Sequence, residues 1–164
     1  MSRPYRESGF TLIELLIVVT IILVIAAIAI PNLLQARMAA NEASAVGSIK
    51  AIQKAEIAFG QLYPDRNYTC MFTRLGPPPN GQAPSEASGD FIDKQLASGV
   101  KSGYTFQLGG CSATLPHMQY WVTAAPVTIG QTGNRAFCSD ESTAVQYSAD
   151  GQASSCQSGG TNLQ

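Results

Sequence analysis

The sequence is short of what most enzymes and nucleic-acid binders need. It has one histidine, His117, so no two-histidine metal site can form, and a Ser-His-Asp set would rest on that residue alone. No Gly-x-Ser-x-Gly turn and no phosphate-cradling glycine loop occurs. Charged residues are only 13% of the chain, ten basic against eleven acidic for a net charge of −1, and no basic stripe exists to track a phosphate backbone. Neither catalysis, a cofactor nor a nucleic-acid partner is indicated. The cysteines show no Cys-x-x-Cys spacing, which removes the usual zinc and redox motifs. Charge is missing altogether from Leu15 through Ala36.

What stands there instead is grease. Phe10 to Ile30 is almost wholly apolar, and its single charge is Glu14. The uncharged stretch is long enough to cross a hydrocarbon core of about 30 Å. Arg3 and Arg6 precede it, an arrangement that holds the N-terminus in the cytoplasm and sends the rest outside. A secretory signal with a cut near Ala27-Ile28-Ala29 is a second reading, but such signals have apolar cores of about 7–15 residues and no acid within them. A plain anchor is a third, and it leaves Glu14 unexplained. A charged, unpaired acid inside a membrane helix costs about 2.5–3.5 kcal/mol or more.

The order of residues here is specific: leader charge, Gly9, then Phe10-Thr11-Leu12-Ile13-Glu14-Leu15-Leu16, then Pro31. It resembles the type IV prepilin motif, shared by type IV pilins and the pseudopilins of type II secretion. The resemblance covers the first third of the chain. It implies that a membrane peptidase cuts between Gly9 and Phe10 and methylates the new amine of Phe10. It also implies that Pro31 marks a stretch of helix that loosens when the subunit leaves the membrane. The physical reading of the motif is independent. Cutting after Gly9 creates a cationic amine at the edge of the bilayer, and Glu14 of a neighbouring copy is the matching anion. Each copy carries both partners, so pairing is head-to-tail and builds an open helical filament.

The implied function is a structural subunit of a type IV pilus, with the major pseudopilin of a type II secretion system as the alternative. The implied partners are the chain itself, the prepilin peptidase and N-methyltransferase, an inner-membrane assembly platform and the lipid bilayer. The implied location is the bacterial inner membrane, single pass with the N-terminus cytoplasmic, before assembly into a surface or periplasmic filament. A membrane-tethered domain that never polymerises is the competing class, and it predicts that Glu14→Ala is harmless.

The expected organisation is a leader at 1–9, a membrane and filament-core helix segment at 10–36, an amphipathic helix half at 37–63 and an extracytoplasmic head at 64–164. Residues 10–62 read as one helix, about 80 Å long at 1.5 Å per residue, with a kink expected at Pro31. Beyond Arg37, Val46, Ile49, Ile52, Phe59 and Tyr63 recur at helical spacing, while Glu42, Lys50 and Lys54 fall elsewhere. Tyr63-Pro64 ends the helix. The segment from Gly76 through Gly89 reads as a surface connector, and Asp90–Val100 as a short helix capped by Asp90 and ended by Gly99. Strands are expected at Tyr104–Leu108, Gln119–Ala125, Arg135–Cys138 and Ala144–Ser148. The fold class is therefore α+β, a long N-terminal helix packed on an antiparallel sheet of about four strands.

Cys70, Cys111, Cys138 and Cys156 all follow the apolar segment, as disulfides in an oxidising compartment would. Four cysteines allow three pairings. Cys70–Cys111 with Cys138–Cys156 is preferred, because the second bridge would staple the tail to the third strand, as many pilins close a C-terminal loop. Without that staple, Ser154–Gln164 reads as a loose end. Asp140, Glu141 and Asp150 are the weak calcium candidates, prompted by the calcium that major pseudopilins carry in a C-terminal loop; their spacing matches no named calcium loop. His117 reads as a surface residue beside a strand, and the glycosylation pattern Asn67-Tyr68-Thr69 as coincidence. Tyr120 and Trp121, being adjacent in a strand, should face opposite sides of the sheet.

Overall fold

The structure, a computed structural model, describes residues 9–163. Arg3 and Arg6 lie outside the described residues. The chain divides into two compact units, Met1–Ala36 and Arg37–Gln164.

The helix α1 runs from Leu12 to Leu62 and contains Pro31. Within the first unit its side chains are open to the surroundings, and the segment is long and apolar enough to cross a membrane. In the second unit the helix becomes one-sided. Ala45, Ile49, Ile52, Ala55 and Phe59 are buried, while Lys50 and Lys54 are exposed. Val46 and Tyr63 are only partly buried at the edge of this stripe. Polar residues enter it too: Glu42, Ser48, Gln53 and Glu56 are buried. The helical period places Glu42 away from the apolar face, whereas the folded chain turns it inward toward Arg135.

Six strands form one antiparallel meander in chain order: β1 (Val100–Lys101), β2 (Tyr104–Gly109), β3 (Trp121–Pro126), β4 (Ala136–Asp140), β5 (Gln146–Ser148) and β6 (Thr161–Asn162). The central register pairs Phe106 with Ala124 and Ala124 with Phe137. Tyr104, Phe106, Val122, Ala124 and Phe137 join the α1 stripe in a single apolar core. The α+β class holds, with six strands rather than about four. The two additional strands have two residues each and sit at the sheet edges, too short for an alternating pattern to register.

Short elements close the core at its rim. α2 (Phe72–Leu75) and α3 (Lys94–Ala97) contribute buried Leu75 and Leu96. The cap of α3 is Asp93, whose carboxylate accepts from the Leu96 N–H at 3.0 Å. Asp90 stands instead in the left-handed region, with φ 60°. The tail is ordered as α4 (Ala153–Gly159) and β6, held by the bridge from Cys138 to Cys156.

Candidate assembly site

The start of α1 is built by three residues of the motif. Thr11 precedes the first helical residue, and its hydroxyl accepts from the Glu14 N–H at 3.3 Å. Glu14 replies: its Oε2 accepts from the Thr11 N–H at 2.9 Å and from the Thr11 hydroxyl at 2.7 Å. This is a reciprocal capping box, Thr-x-x-Glu, satisfying backbone donors that a helix N-terminus otherwise leaves open. Glu14 is thus held against Thr11, the residue after Phe10, by its own turn, while Phe10 remains 84% exposed. The sequence pattern contains this box, but the reading of Glu14 as an ion-pair partner passes over it.

Other singled-out residues fall in the second unit. Cys70 is bonded to Cys111 and Cys138 to Cys156. Asp140 ends β4, and its Oδ1 accepts from the Ser142 N–H; Asp150 accepts from the Ser148 hydroxyl and the Gln152 N–H. These acids serve local turns, and among the described residues no three metal-ligating side chains gather. Asn67 donates from Nδ2 to the His117 carbonyl at 3.0 Å, and Thr69 of the same Asn-x-Thr triplet is buried. The triplet is therefore bound into the fold rather than presented. His117 is half-buried, bridging to Asn67 through the backbone. Tyr120 is 2% exposed and packs on Tyr68 with ring centroids 4.8 Å apart. Trp121 is half-buried and lies against Gly109 and Gly110, where a Cβ would collide with its ring.

Two carboxylates lock α1 to the head. Glu42 accepts from the Asn134 and Arg135 N–H groups at 3.0 and 3.2 Å and pairs with the Arg135 guanidinium at 2.7 Å. Burial works to raise its carboxyl, but these donors together hold it below the ordinary range. Glu56 is fully buried, with one oxygen accepting from the Thr69 N–H at 2.8 Å. Its other oxygen and the Tyr120 hydroxyl are buried without hydrogen-bond partners among the described residues. Burial pushes the Glu56 carboxyl up to about 8, opposed only by the Thr69 N–H.

Comparison with known proteins places these features. A family model described as the prokaryotic N-terminal methylation motif matches residues 4–30. The type IV major pilin protein PilA of Myxococcus xanthus is 46% identical over 54 residues, 33% of this chain and 24% of that protein. The type IV wide pilus major component PilA4 of Thermus thermophilus is 68% identical over 37 residues, 23% of this chain and 28% of that protein. The type II secretion system core protein G of Vibrio cholerae is 28% identical over 120 residues, 70% of this chain and 80% of that protein. The N-terminal third of the chain is thus similar to type IV pilins, and a longer stretch is similar to a type II secretion core protein. Both branches fit, and neither is favoured. The match spans about a quarter of the two pilins. No solved structure matches significantly. The methylation motif and the open apolar helix suit membrane anchoring.

Proposed function

We propose that this chain is the repeating subunit of a pilin-type filament. It inserts through Phe10–Ile30 with the N-terminus cytoplasmic, is cleaved after Gly9, is methylated at Phe10 and polymerises. Residues 1–9 are the leader, 10–36 form the filament core, 37–63 carry the head and 64–164 complete it. Its partners are further copies of itself, the bilayer, the processing peptidase and methyltransferase, and an inner-membrane assembly platform. The chain's role is structural rather than catalytic.

The observation that carries the reading is the joint placement of Phe10 and Glu14. Leu12 to Ile30 presents large apolar side chains on every side, so lipid or neighbouring helices must cover it. A carboxylate at its head has functional weight by default. Once Gly9 is removed, the Phe10 amine of one copy and Glu14 of the next offset each other's burial. Pro31, which cannot donate to the helix ladder, lets the segment loosen during transfer out of the membrane.

The type II secretion pseudopilin is a second reading with its own support, because the similarity to the Vibrio cholerae core protein G extends into the head. Mass spectrometry of the N-terminal peptide from sheared surface material tests the shared part. An N-methylated Phe10 is the expected result, and intact Met1 in assembled material overturns it. Deletion then separates the branches. Loss of a surface filament marks a pilin, whereas intracellular build-up of secreted enzymes with normal motility and adhesion marks a pseudopilin.

A further inference from the structure

The second half of α1 presents a face of one sign. Its acids, Glu42 and Glu56, are both buried, and its exposed charges are Arg37, Lys50 and Lys54. Ala43, Gly47 and Ala51 are exposed beside the lysines, and beyond the adjoining residues and the helix's own backbone no atom lies within 4 Å of where a Gly47 Cβ would stand. Small residues let another surface approach closely, and lysines four apart project from one side of the helix.

The opposite charge lies in a turn that meets α1 at Gln53. Asp140 and Glu141 begin the turn from β4 to β5 and line a cavity of about 390 Å³ with Trp121, Gln119 and Gln157. A carboxylate pair beside an indole and two amides is suited to an ammonium group. Among the described residues, the ion pairs tie Arg66 and Arg74 to Glu86, Lys101 to Asp93 and Arg135 to Glu42. None uses Lys50, Lys54, Asp140 or Glu141. The turn is moored to α1 through Gln53, whose Nε2 donates to the Ser139 hydroxyl at 2.5 Å and the Thr143 carbonyl at 3.1 Å. Even so, the lysines and turn acids of one subunit do not pair with each other.

We propose that Lys50 and Lys54 of one subunit dock into the Trp121–Asp140–Glu141 cavity of a second copy. Between subunits aligned in parallel, as in a filament, the contact is head-to-tail and propagates without closing. The inference rests on the filament reading and adds the residues that set register between heads.

The test is a charge swap in the full chain, assayed by the amount of sheared filament. Lys50→Glu with Lys54→Glu, and separately Asp140→Lys with Glu141→Lys, are each expected to lower filament yield about tenfold. Combining all four should recover the parent yield to within about threefold. Parent-like assembly of either double variant, or no recovery in the combination, overturns the interface. A second measurement needs no variant. Carbodiimide coupling of wild-type filaments grown from mixed light and heavy isotope subunits should join these lysines to these acids in hybrid peptides. Filaments lacking such hybrids sink the interface while leaving the filament reading intact. Failure of the wild-type chain to form filaments sinks both.

Discussion

Glu42 and Glu56 sit on the same helix, both carry carboxyls out of water, and they answer pH in opposite directions. The Glu42 carboxyl lies below the ordinary value when folded, so its contribution is present above the unfolded pKa and fades as pH falls. The Glu56 carboxyl rises from 4.5 to about 8 on folding. Its folded state favours the neutral form, so stability is full below pH 4.5 and declines as pH climbs toward 8. The slope can reach about 1.4 kcal/mol per pH unit in that window. Thermal melts of the detergent-solubilised chain should therefore show a maximum in mildly acidic buffer. Glu56→Gln, which retains an acceptor for the Thr69 N–H, should melt higher than the parent at pH 8 and match it more closely at pH 5. An unchanged profile in the variant removes Glu56 as the cause. For Glu42→Ala, the lost Arg135 pair and two unanswered N–H groups predict a cost of about 2–3 kcal/mol near pH 7, measurable by urea unfolding.

The C-terminal segment depends on a covalent tie. α4 and β6 offer few apolar side chains; Cys156 is the buried residue of α4, and β6 is exposed throughout. The bridge from Cys138 spans 18 residues of chain, a closure worth about 3 kcal/mol on the entropic account. Cys138→Ser with Cys156→Ser should cost about that much and should open residues 153–163 to proteolysis before the rest of the head. Equal protease resistance in parent and double variant counts against the tie. The same dependence explains what could be read in advance. The long helix and four of the strands were visible because their periods run over several residues, as Ile49, Ile52 and Phe59 do on α1. β1 and β6 were not, since two-residue strands are fixed by pairing with neighbours rather than by pattern. The α3 cap moved from Asp90 to Asp93 because only the latter places its carboxylate under the Leu96 N–H. Glu56 was invisible for another reason: nothing local in the sequence signals that a glutamate will be buried against the Thr69 N–H from beyond the helix. At the N-terminus the motif residues are plain in the sequence, whereas the hydrogen bonds joining Thr11 to Glu14 emerge only when the first turn of α1 forms.

If the molecule is the unit of a polymer, as proposed, the hydrogen bonds between Thr11 and Glu14 pose a question of cause. Glu14 has two jobs available to it: capping its own helix and neutralising a cationic terminus on another copy. Capping needs only an acceptor, and glutamine serves at the same position of a capping box. Ion pairing needs the charge. Glu14→Ala removes both functions and Glu14→Gln removes only the second, so comparing them separates the roles. Loss of the cap should cost the helix about 1 kcal/mol, too little to expel a segment as apolar as Leu12–Ile30 from a bilayer. Both variants are therefore expected to insert in membranes at parent levels, judged by carbonate-resistant fractionation. If the pairing governs assembly, both should fail to yield sheared filaments to a similar degree, because the Phe10 amine faces no anion in either. Normal filaments from Glu14→Gln alone would move the role of Glu14 from the neighbour's terminus to its own helix turn.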